Sequence, residues 1–110
     1  MASERLALAQ LALESALSVD GVLSSSVGTS GLWITAAKGL RIPGVVAAAQ
    51  PDGRYSLSLH LVVQPVPLHA LAEQVRNRVV RNAGLAGLDG ALGPVDVSIE
   101  DLVAGPEDVA

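Results

Sequence analysis

Between Tyr55 and Val63 every second residue is large and apolar: Tyr55, Leu57, Leu59, Leu61 and Val63, with Ser56, Ser58 and His60 between them. A period of two is the pattern of a strand with one buried face and one more polar face. Such a strand belongs in an antiparallel sheet whose helices lie on a single side. Downstream the period changes. Leu68, Leu71, Ala72, Val75 and Val79 recur at helical spacing, with Gln74, Asn77, Arg78 and Arg81 opposite, so a helix is expected over 68–83. Pro67 suits its first turn, and Gly84 is assigned as the C′ residue that ends it.

The N-terminal segment predicts a helix over about 4–18, capped by Ser3. Leu6, Ala9, Leu13, Ala16 and Leu17 form its apolar face, but Leu8, Leu11 and Ala12 are apolar too. Only Gln10, Glu14 and Ser18 leave a polar stripe. A helix this apolar calls for burial on more than one side, and another subunit is a candidate for the second surface. Val19-Asp20-Gly21-Val22 reads as the exit from that helix, with Gly21 making the sharp turn.

Short strands are expected over 22–27 and 31–36. A stronger one covers 40–49, where Pro43 and Gly44 imply an edge position or a bulge. Gln50-Pro51-Asp52-Gly53 is a turn in which Gly53 takes the positive-φ position. The segment 84–93 reads as a glycine-rich loop. Alternation of Val95, Val97 and Ile99 with Asp96, Ser98 and Glu100 gives a last strand. The order is α-β-β-(β)-α-β. It predicts an α+β two-layer sandwich, an antiparallel sheet of three to four strands with two helices on one face. Residues 1–103 are read as one domain and 104–110 as a flexible acidic tail.

Composition narrows the chemistry. Half of the 110 residues are hydrophobic, yet Trp33 and Tyr55 are the only aromatics. The core must be aliphatic, and Trp33 is read as a core residue rather than a ligand platform. Cysteine is absent, which removes disulfides, thiolate metal sites and cysteine nucleophiles. Glu4, Arg5 and Glu14 interrupt the N-terminal apolar run, unlike a secretory signal, so a cytoplasmic protein is expected with no direct membrane span. A net charge of −4 argues against nucleic acid as a partner.

The loop "SSSVGTSG" at 24–31 has neither the lysine nor the following helix that a phosphate-binding loop needs. Ser24, Ser25 and Ser26 lack a nucleophile elbow, and His60 and His69 lack a spacing that would place a base beside a nucleophile or complete a metal site. No catalytic residue, cofactor or metal is therefore assigned. Arg76, Arg78 and Arg81 cluster in one segment and are the candidate partner-binding residues; the bland alternative is a solvated helix face.

In this order the chain resembles the alkaline-shock-protein family of bacterial envelope-stress proteins. The resemblance lies in "ALESALSVDGV" (12–22), the strand 55–63, "LAEQVRNRVV" (71–80) and "VDVSIEDLV" (95–103). Gln64-Pro65 departs from the Tyr-Gly-like step that many members carry after the main strand. The resemblance implies a non-catalytic cytoplasmic domain that self-associates and is recruited to the membrane by an anchor protein. The alternative is a small regulatory domain binding a small ligand or a metal.

Overall fold

The computed structural model describes residues 2–37 and 39–104; the expected acidic tail lies, apart from residue 104, outside the described residues. Helix α1 spans Ala2–Leu17, followed by strands β1 (Val22–Ser25), β2 (Ile34–Ala37), β3 (Leu40–Pro43), β4 (Val45–Ala49) and β5 (Tyr55–Val63). Helix α2 (Leu68–Leu85), a short 3-10 turn (Asp89–Ala91) and β6 (Leu92–Leu102) complete the chain. This is an α+β fold, and the order is roughly the one read from the sequence, with five strands between the helices where two or three were expected.

The alternating segment is the central strand. Leu57, Leu59, Leu61 and Val63 are wholly buried, whereas Ser56, Ser58 and His60 are half-buried on the opposite face. Both helices cover the buried side. Leu8, Ala9, Ala12 and Ala16 of α1 and Leu71, Val75, Val79 and Ala83 of α2 complete one aliphatic core. Gln10, Glu14 and Ser18 stay exposed. The small residues Ala9, Ala12 and Ala16 let α1 lie close to the sheet, so most of its apolar circumference is used within the chain.

The sheet is mixed where an antiparallel one was expected. β6 runs parallel to β5, with Leu57 opposite Val95 and Leu61 opposite Ile99. The cause is the length of α2. Eighteen helical residues retrace about 27 Å, close to the roughly 30 Å that the nine residues of β5 advance. The chain returns to the start of β5, and the next strand runs the same way. The expected loop 84–93 is largely absorbed: α2 continues to Leu85, and β6 begins at Leu92. Gly84 is thus inside the helix, and the positive φ of 73° falls on Gly87 instead. Ser3 likewise lies within the first turn of α1 rather than before it.

The other edge of β5 is shared. β4 pairs with 55–59 and β1 with 61–63, both antiparallel. His60 is the junction: its N–H donates to the Gly44 carbonyl, and its carbonyl accepts from Ser26 N–H, each at 2.8 Å. Gly44 has φ 78°, and a Cβ there would sit 2.3 Å from the Ser25 Cβ. Only glycine lets the two strands abut. The expected strand 40–49 is therefore split at this residue. β3 folds back on β2 as a separate two-stranded hairpin, and the segment 27–43 leaves the edge as an excursion.

That excursion is sewn back by Thr35. Its hydroxyl donates to the Val45 carbonyl at 2.8 Å and accepts from Ala47 N–H at 3.1 Å. The side chain is 1% exposed, and it satisfies two backbone groups of β4 that face away from β5. Thr35→Val keeps the shape and strands both groups, and each unmade buried bond costs about 1–3 kcal/mol. Urea unfolding should show a loss of about 2–6 kcal/mol for Thr35→Val, the two bonds together, and near-wild-type stability for Thr35→Ser.

Candidate functional site

The open face of the sheet carries the side chains with chemistry. Trp33 ends the turn that begins the excursion, and its N–H donates to the Val27 carbonyl while its own carbonyl accepts from Gly44 N–H. These bonds hold the indole over His60. The two rings are stacked with centroids 4.0 Å apart and an interplanar angle of 2°. Gly28, with φ 81°, packs on the indole so closely that a Cβ would meet Trp33 Cε3 at 2.9 Å.

His60 Nδ1 lies 3.0 Å from Glu100 Oε2. An ionised carboxylate only accepts, so Nδ1 carries the proton. Ser98 Oγ donates to the same oxygen. The hydrogen bonds from Ser98 and then His60 hold the Glu100 carboxyl below its ordinary value of 4.5. Ser98 stands opposite His60 in the parallel ladder, and a register shift after Ile99 turns Glu100 toward the ring. A cleft beside the stack is lined by Ser26, Thr29, Trp33, Glu100 and Asp101.

Trp33 is thus half-buried on the open face, not in the aliphatic core as read from the sequence. Alternation placed His60 on that face; its stacking partner came from a loop whose path no local pattern specifies.

Arg78 and Arg81 line one surface hollow with Gln74 and Asn77, whereas Arg76 turns to β6. Arg76 Nε donates to the Val95 carbonyl at 3.0 Å, and its guanidinium pairs with Glu73, tying α2 to β6. Arg78 Nη1 donates to Ser18 Oγ at 2.8 Å, tying α2 to the end of α1. Arg81 is exposed beside Gln74 and Asn77. Gly21 has φ 100° and Gly53 φ 86° in their turns. His60 and His69 lie on different elements, β5 and the first turn of α2. Among the described residues no group of three or more histidines and carboxylates is placed to hold a metal ion. No helix among them is long and apolar enough to cross a membrane.

No family model matches the chain, and no curated protein does. A solved structure of a variant of the MamM CTD is similar at a TM-score of 0.47 and 18% identity, over 87% of this chain and 95% of that one. A likeness at that level carries no argument about function.

The histidine and glutamate contacts carry a pH signature. Because folding favours ionised Glu100, its contribution is complete above pH 4.5 and is lost as pH falls from there through the lowered folded-state value. Glu100→Gln should melt below wild type at neutral pH, and the gap should close in acid. A gap that persists well below that range would remove the carboxylate from the account.

Proposed function

We propose that the chain is a non-catalytic interaction domain of the alkaline-shock-protein type, a cytoplasmic envelope-stress scaffold that self-associates and is brought to the membrane by an anchor protein. The observation that carries the reading is where the residues of the resemblance meet. The Val19–Val22 turn brings Gly21 against α2, where a Cβ would come 3.4 Å from Leu71 Cδ1. Leu71 opens the third stretch of the resemblance. The fourth, 95–103, lies along β5, the second. These segments form one continuous interior, which leaves the outer surfaces for partners.

His60 and Glu100 are committed to one another. One face of the His60 ring is covered by Trp33, and Nδ1 is occupied by Glu100. This reads as a clasp holding the excursion on the sheet. For self-association the groove between the helices is the supporting surface, lined by Leu11, Glu14, Ser18 and Leu85, with Leu85 77% exposed. Arg81 is the arginine left for an acidic or membrane-associated partner, since Arg76 and Arg78 bond within the chain.

The small-ligand reading has one specific support, the cleft beside Trp33. A ligand there would change Trp33 emission and raise the melting temperature.

Sedimentation velocity at rising concentration should show association that Leu85→Glu weakens. Fractionation of host cells should find the protein with the membrane, and Arg81→Glu should reduce that recovery severalfold while Arg81→Lys preserves it. A strictly monomeric protein that stays in the soluble fraction would overturn the reading.

A further inference from the structure

The two edges of the sheet are finished differently. On the β4 edge, Thr35 takes the outward carbonyl of Val45 and N–H of Ala47. On the β6 edge, Arg76 covers the Val95 carbonyl. Beyond it, Asp101 Oδ1 accepts from the Leu102 N–H at 2.9 Å, and no described strand pairs with the outer side of residues 96–101. An uncovered strand edge is a template for another strand.

The two faces of this edge differ in chemistry. Val97 and Ile99 stand opposite Leu59 and Leu61, on the helix side, and are half-buried. Ile99, Leu68 and Leu102 form an apolar shelf beside Glu100 and Asp101, on which Leu102 is 49% exposed. Asp96 stands opposite Ser58 on the open face, and Asp96, Glu100 and Asp101 are all exposed. Residues 93–104 contain no lysine or arginine.

We propose that residues 96–101 of β6 take up an extended segment of a different protein, one in which apolar residues alternate with lysine or arginine. The shelf receives its apolar side chains, and the carboxylates of Asp96 and Asp101 meet its cations. A second copy of β6 fits poorly, because it would set the same acids against each other, and like charges across a strand pair are destabilising. Self-association then uses another surface. The inference rests on the reading of the chain as a protein-interaction domain and supplies the class of segment that its partner presents.

The test is a titration of the isotope-labelled full chain with blocked peptides of alternating valine and lysine, alternating valine and glutamate, and a valine–lysine peptide interrupted by proline. Binding of the first should perturb and protect the amides of Val97 and Ile99, and weaken with salt. The other two should bind at least tenfold more weakly. Asp96→Lys changes an exposed side chain on the open face of β6, away from the Trp33 cleft. It should weaken the lysine peptide severalfold with an unchanged melting temperature. Should that variant melt lower, Asp96→Asn serves in its place, with a smaller weakening expected.

Equal binding of the lysine and glutamate peptides, or protection confined to other elements, would overturn the proposal. So would concentration-dependent protection of 97–101 in the protein alone, which would give the edge to a second copy. Loss of peptide binding with membrane recovery intact would sink this inference and leave the scaffold reading standing.

Discussion

The structure depends on both edges of β5 being satisfied. One edge is met by β6 along its whole length, and the other by β4 and β1 end to end. A strand buried in the middle of a sheet cannot leave its amide groups unpaired without a cost comparable to a lost hydrogen bond at each. His60 marks the one place on the shared edge where the partner changes, and its N–H and carbonyl are taken by Gly44 and Ser26. Gly44 is the constraint within the constraint. With Ser25 so near, a side chain there would drive β1 and β4 apart and open the central strand.

From that junction the remainder of the open face follows. The excursion 27–43 leaves and rejoins the edge at the level of His60, and its one aromatic residue, Trp33, comes down on that ring. Ser98 faces His60 across the parallel ladder, and the bulge after Ile99 brings in Glu100. An aromatic pair of this kind adds about 0.5–1.5 kcal/mol beyond its area. Its role here is positional, since it helps to fix a hairpin that Thr35 and the buried Ile42 also join to the rest of the fold. The two arginines that seemed to belong to a surface patch perform a similar task on the helix side, one reaching β6 and the other α1.

Much of this was legible. Strand β5 was bounded to the residue by its alternation, and α2 was located by its helical spacing, because each signal comes from a repeat that one element imposes on its own side chains. The α+β class followed from their order. The parallel pairing of β6 was not legible from the alternation of Val95, Val97 and Ile99, since a half-buried strand alternates in the same way whichever direction it runs. The length of α2 contained that information. The extent of α2 beyond Gly84 was missed because a glycine signals a helix end without enforcing one.

What the sequence by itself determined are the properties carried by a residue and its near neighbours: an aliphatic core without thiols, the facing of β5, two helices with one strongly buried side, and turns at Gly21 and Gly53 with positive φ. The tertiary structure alone decided the meeting of Trp33, His60 and Glu100, residues distant along the chain and unmarked by any spacing. It also decided which arginines are consumed by the fold and which strand edge is left uncovered. The physical reason is that secondary structure reports periodicity along the chain, whereas a site or an open edge arises where separate segments satisfy, or leave unsatisfied, one another's polar groups.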